Sequence, residues 1–163
     1  MKSLIDALIR LAFKIYYRAV LAVWFFTRPT IHGVFIAVWH DDMILIIKNS
    51  YRQWHIVPCG GIKSAETLEH AAVRELFEEV GIEARVDQIR YVGKYADRYK
   101  YALDTGHFFE LVLSNRPEIK IDNREVIWAE FMQPADAAML NLNPLVRLYL
   151  NSRRSGSPGP NIS

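Results

Sequence analysis

Residues 60–82 read GGIKSAETLEHAAVRELFEEVGI, and they predict a helix with an unusual charge pattern. Leu68, Ala71, Ala72, Leu76 and Val80 place apolar side chains at helical spacing, Thr67 stands where a capping side chain is needed, and Gly81 marks the stop, so the helix should run over 67–80. Within it Glu75, Glu78 and Glu79 fall at i, i+3 and i+4 and converge on one side. Like charges at that spacing each cost about a few tenths of a kcal/mol in an isolated helix. They also occupy the final turn, where the macrodipole disfavours anions. A divalent cation would relieve both penalties, and oxygen-only ligation points to a hard ion, Mg2+ or Mn2+, rather than zinc. For the helix taken alone, the competing reading is a solvated acidic face partly neutralised by Arg74 paired with Glu78.

On both sides of this helix the periodicity is that of strands. Residues 33–39 and 43–47 are β-branched runs separated by His40-Asp41-Asp42, which predicts a hairpin with a tight turn. Residues 54–58 then lead into Gly60-Gly61. Downstream, 86–94, 99–103 and 108–113 read as strands, the last two joined by a turn at Asp104-Thr105-Gly106. A further strand is expected over 126–131 and a final helix over 144–151, while 152–163, with Ser, Gly, Pro and two arginines, has the composition of a disordered tail. The class is mixed α/β.

Composition bounds the function. With 163 residues and 51% hydrophobic content there is room for one domain of ordinary size. The balance of 20 Lys+Arg against 18 Asp+Glu leaves a net charge of +2, too small a field to favour long nucleic acid. The single cysteine, Cys59, excludes an intramolecular disulfide and points to a reducing, cytoplasmic compartment. Much of the apolar excess lies in residues 4–26, whose charges Asp6, Arg10, Lys14 and Arg18 are spaced by four and form one polar stripe on an amphipathic helix within residues 1–28. Those charges argue against a secretion signal and against a membrane span. The helix is left to pack on the domain, to pair with a second copy in a homodimer, or to lie peripherally in a membrane interface, with packing ahead of membrane contact.

The whole of residues 60–82 resembles the signature of the Nudix hydrolases, G-x5-E-x7-R-E-U-x-E-E-x-G-U with U a bulky aliphatic residue. Gly60, Glu66, Arg74, Glu75, Leu76, Glu78, Glu79, Gly81 and Ile82 match every fixed position. Residues 33–47 are similar to the family's opening hairpin, 54–61 to its W-x-x-P-G-G lead-in and 125–131 to its late strand, so the likeness covers about 30–132 and leaves the first helix outside. It implies a Nudix-like α/β/α sandwich with a mixed sheet over 30–151, preceded by the amphipathic helix.

The resemblance also implies hydrolysis of a diphosphate linkage in a nucleotide or a nucleoside diphosphate joined to a group X, using bound Mg2+ or Mn2+. A diphosphate resists nucleophiles because its oxygens are anionic, so cations that neutralise it and position water do most of the work. Carried over by motif position, Glu78 and Glu79 ligate metal, Glu75 is a further ligand or the base, Arg74 holds a glutamate in place, and the backbone carbonyl of Cys59 is a ligand. The general base is expected from the motif or a later loop, with Glu125 preferred to Glu110, read as an outward strand residue. Cys59 stands where many relatives have glycine and Lys63-Ser64-Ala65 replaces the commoner acidic-Pro-Gly, without touching those roles. Trp54 and Tyr99 are candidates to stack on a base, against a competing reading of Tyr99 as cross-strand packing. The alternatives are a Nudix-fold sensor that binds a nucleotide without cleaving it, and a membrane-peripheral enzyme acting on a sugar or lipid-linked nucleotide.

Overall fold

The computed structural model describes residues 2–155, residues 2 and 3 by their backbone alone. A helix α1 (Lys2–Thr27) precedes strands β1 (Thr30–His40), β2 (Met43–Asn49), β3 (His55–Ile56) and β4 (Cys59–Gly61), helix α2 (Leu68–Val80), strands β5 (Arg90–Tyr99), β6 (Ala102–Val112) and β7 (Val126–Met132), and helices α3 (Pro134–Met139) and α4 (Pro144–Ser155). The strands form one seven-stranded mixed sheet in the order β3-β2-β1-β6-β5, with β4 on β1 and β7 on β2. Helices α2 and α4 pack against it as an α/β/α sandwich, as the resemblance implied.

Strand β1 organises the sheet. It runs parallel to β6 from Thr30↔Leu103 to Trp39↔Val112. Its end pairs with β2 at Trp39↔Ile44 and His40↔Met43, through a turn in which Asp41 and Asp42 both have positive φ, 48° and 60°. That geometry matches the right-handed strand twist, and aspartate tolerates it better than most residues. The start of β1 pairs instead with β4, Gly33↔Gly61 to Phe35↔Cys59, which sets the first residues of the glycine-glutamate motif against the central strand.

Helix α2 matches its expected ends. The Thr67 side chain accepts from the His70 amide, Gly81 takes the left-handed conformation at φ 70°, and Ala71, Ala72, Leu76 and Val80 are fully buried.

Two expectations are corrected. The turn at Asp104-Thr105-Gly106 does not exist: β5 and β6 meet at Lys100-Tyr101, Lys100 at φ 50°, and all three residues lie within β6. Gly106 is in the strand for a packing reason, since a Cβ there would come 2.7 Å from the Phe35 ring, which stacks on Phe108 at 4.7 Å. The final helix also runs past Asn151 to Ser155, into the stretch expected to be a tail. Ser152 hydrogen bonds Tyr95 at 2.6 Å and Arg153 pairs with Glu110, which ties that last turn to the sheet. Residues 156–163 of the expected tail lie outside the described residues.

Glu110 is a third correction, because it points inward and is buried. Tyr149 and Arg90 donate to it at 2.6 Å, Tyr149 also accepts from Trp39 Nε1 at 2.8 Å, and the Arg153 guanidinium lies 3.9 Å from the Trp39 ring centroid. Burial raises its proton affinity, but these donors more than reverse that and hold the carboxyl below its ordinary value.

Helix α1 meets the domain with the side that carries Asp6, Arg10, Phe13, Tyr17 and Trp24, while Lys14 and Arg18 of its polar stripe stay exposed. Asp6 pairs with Arg124 at 2.9 Å and Arg10 Nε donates to the Asn123 carbonyl at 2.8 Å. Leu4, Leu8, Leu11 and Ile15 consequently face outward, each more than half exposed. Among the described residues, no helix is long and apolar enough to cross a membrane.

The Gly106 packing is testable. Gly106→Ala should force the buried Phe35 ring off Phe108 and lower stability by about 1–3 kcal/mol, read as a lower urea midpoint at unchanged m-value. A midpoint equal to wild type would show that the ring is free to move.

Candidate active site

The loop from β4 into α2 brings the motif's side chains around one guanidinium. Arg74 Nε and Nη2 grip both oxygens of Glu66 at 2.8 and 2.9 Å, Nη1 reaches Glu75 at 2.5 Å and Glu78 at 3.1 Å, and Nη2 also donates to the Gly61 carbonyl at 2.9 Å. A planar five-donor fork suits this task, which a lysine cannot perform. The hydrogen bonds from Arg74, helped by the Lys63 amide, hold the Glu66 carboxyl down at about 2.

Three carboxylates gather on the side of α2 that meets β4. Glu75 lies against Gly60 so closely that a Cβ there would stand 2.1 Å from its carboxyl carbon. Burial raises its proton affinity against the pull of Arg74, and the charges of Glu78 and Glu125 add to the rise. Glu79 is buried, accepts from the Cys59 amide at 2.8 Å and from Asn49 Nδ2 at 3.1 Å, and is pushed up to about 8 by burial with Glu125 contributing. Glu125, just ahead of β7, accepts from the Tyr51 hydroxyl at 2.8 Å while its carbonyl accepts from Ser50. A residue more than forty positions from the motif thus joins Glu75 and Glu79 electrostatically. Glu78 stands apart, half exposed, between Arg74 and Lys63.

Among the described residues, no three His, Cys, Asp or Glu side chains stand together as a metal shell. The reason is visible in the partners: Arg74 holds Glu75 and Glu78, and Asn49 and the Cys59 amide hold Glu79. The donor chemistry nonetheless fits a hard cation. The charge of Glu125 raises the proton affinity of both Glu75 and Glu79, and the buried Asn49 Oδ1 has no hydrogen-bond partner. The Cys59 thiol is buried and pushed well above the ordinary thiol range by that burial, which makes it a packed residue rather than a nucleophile.

Beside the motif lies a cavity of about 220 Å³ bordered by Gly60 and Gly61. Trp54 and Tyr99 both line it, their rings edge-to-face at 5.8 Å. Other lining residues, Arg52, Asp104, Tyr17 and Trp24 among them, were not expected from the sequence. Arg52 gave no pattern, Asp104 was read as a turn, and Tyr17 and Trp24 of α1 carried only the signal of an amphipathic helix.

A family model for the NUDIX domain matches residues 29–150. The NAD-capped RNA hydrolase NudC of Klebsiella pneumoniae is 30% identical over 109 residues, 66% of this chain and 40% of that protein, so the chain spans about two-fifths of the length of the curated relatives it matches. Among solved structures, the MutT protein of Methanosarcina mazei superposes with TM-score 0.69 at 17% identity, covering 79% of this chain and 96% of the other. The bifunctional NMN adenylyltransferase/ADP ribose pyrophosphatase of Francisella tularensis gives TM-score 0.68 at 18% identity, over 87% of this chain and 47% of that one. The structural likenesses show the fold.

The Glu66 clamp has a pH signature. Its folded pKa is depressed from 4.5 to about 2, so its contribution is present above the unfolded value and lost as pH falls through that interval. Urea midpoints of wild type and Glu66→Gln should differ by a constant amount above about pH 5.5 and converge as pH drops toward the folded value. A gap independent of pH would remove the ionic role of the clamp.

Proposed function

This chain belongs to the Nudix family, and on that premise we propose that it hydrolyses a diphosphate linkage in a nucleotide or nucleoside diphosphate derivative with a divalent metal ion, Mg2+ or Mn2+. The observation that carries this reading is the gathering of Glu75, Glu79 and Glu125 at the C-terminal half of α2 with Arg74 steadying the motif beside them. The similarity to an NAD-capped RNA hydrolase supports a nucleotide substrate.

Glu75, Glu78, Glu79 and the backbone carbonyl of Cys59 would hold the ion. When bound, it would neutralise the diphosphate oxygens and favour ionisation of an attacking water. Arg74 restrains Glu75 and Glu78, and its bidentate grip on Glu66 would keep it in place when a cation draws them away. Glu125 receives the proton of the attacking water, from a position fixed by Tyr51. The water oxygen forms a bond to one phosphorus as the bridging P–O bond breaks, and the products are a mononucleotide and the phosphorylated group X. Trp54 and Tyr99 border the space where a base would stack.

The surface of α1 favours a second element of this reading. Leu4, Leu8, Leu11 and Ile15 form an outward apolar stripe, and Lys14 and Arg18 with Lys100 border the groove beside it. An apolar face flanked by cations matches an anionic lipid interface better than a second copy of a chain carrying the same cations. The enzyme would then work in the cytoplasm at a membrane surface.

Purified protein with Mg2+, tested against nucleotide sugars, dinucleotides and nucleoside triphosphates, should turn over at least one of them. Glu78→Gln should slow that turnover on the order of a hundredfold, and EDTA should abolish it. No turnover on any of them, with Glu78→Gln indistinguishable from wild type, would reject the hydrolase reading. In flotation with phosphatidylserine-containing vesicles, wild type should rise and Leu8→Glu/Ile15→Glu should stay at the bottom. Wild type that stays at the bottom and sediments as a dimer would assign the stripe to a second copy.

A further inference from the structure

We propose that α1 completes the base-binding pocket of this enzyme, with Tyr17 and Trp24 supplying one wall of a nucleobase site whose other wall is Trp54 and Tyr99. The inference rests on the hydrolase reading for the position of the diphosphate, but its own content is the identity of the wall. The matched domain begins at residue 29, so both α1 residues come from a segment outside it.

The cavity has the size and lining that such a site needs. At about 220 Å³ it has room for a single ring system. From the domain it takes Trp54, Tyr99 and the Phe35 ring, and from α1 it takes Tyr17 and Trp24. The two sources are joined at the rim, where the Tyr17 and Tyr99 hydroxyls hydrogen bond. Tyr51 braces the helix from behind, its ring 5.6 Å from Phe13 and 5.4 Å from Tyr17.

Polar groups in the lining point to a ligand with hydrogen-bonding edges. Arg52 Nε and Trp54 Nε1 are both buried without an acceptor. Buried donors in native structures are rarely left so, and a base edge offers ring nitrogens and carbonyl oxygens that accept. Asp104 provides the complementary acceptor for an exocyclic amine or ring N–H. It is largely buried, which lifts its carboxyl to about 6 against the pull of Arg52.

The placement also suits the chemistry. Gly60 and Gly61 border the cavity, and Glu75 packs directly on Gly60. A base seated between the aromatic walls therefore sends its phosphates toward the carboxylates of α2. Stacking contributes equally to substrate and transition state, so its loss raises KM and spares kcat.

Calorimetric titration of full-length protein with AMP, GMP, CMP, UMP and ribose 5-phosphate tests the wall without requiring turnover. Wild type should bind at least one mononucleotide more tightly than ribose 5-phosphate. Trp24→Ala should weaken that binding about tenfold, Tyr17→Ala should weaken it too, and Trp24→Phe should recover most of it. Tyr16→Ala, on the outward side of the same helix, should bind like wild type. Equal affinity for mononucleotides and ribose 5-phosphate, or wild-type affinity in both Trp24→Ala and Tyr17→Ala, would overturn the proposal. Turnover separates the two readings: base binding without hydrolysis of any substrate rejects the hydrolase alone, and hydrolysis with unchanged KM in both alanine variants rejects the α1 wall alone.

Discussion

The parallel pairing of β1 with β6 is the constraint from which the rest of this molecule follows. Ten residue pairs hold it, and it works because Gly106 leaves room for the Phe35 ring to lie across the strand boundary and stack on Phe108. With that register set, β4 has a place at the start of β1 and the motif begins beside the central strand. The same pairing puts Asp104 next to Ile31, on the face that borders the cavity. One small residue in a strand thus governs both the entry to the motif and the shape of the pocket beside it.

Charge is managed in two separate networks. At one end, Glu110 is buried but has three donors, Tyr149, Arg90 and Arg153, and stays ionised as part of the attachment of α4. At the other, Glu75 and Glu79 are desolvated and face a third carboxylate, so their proton affinities rise. A structural carboxylate is surrounded by donors, whereas a site poised for a cation keeps like charges together. That contrast separates Glu125, just ahead of β7, from Glu110 within β6 as candidates.

Much of the site was legible because its spacing is local. The α2 caps and the pairing of Arg74 with Glu78 follow from helical geometry and need no partner, whereas the expected convergence of three helix glutamates gave way to Glu75 and Glu79 turned inward and Glu78 left half exposed. The bidentate grip of Arg74 on Glu66 was only half legible, since it depends on a loop that folds back over the helix start. The turn expected at Asp104-Thr105-Gly106 failed for the opposite reason: its composition is that of a turn, but Phe35, some seventy residues earlier, needs the glycine in a strand. Glu110 was read as outward because one strand's alternation does not reveal what α4 brings above it.

The amino-acid sequence by itself determined the family, the motif helix, the candidate ligands and the existence of an apolar first helix, all of which are properties of residues close together along the chain. Tertiary structure alone decided which side of that first helix meets the domain. Asp6 and Arg10 find partners at Arg124 and Asn123, Tyr17 reaches Tyr99, and Leu4, Leu8 and Leu11 are left outside. Periodicity defines the faces of a helix, but the partner of each face is set by contacts between residues far apart along the chain.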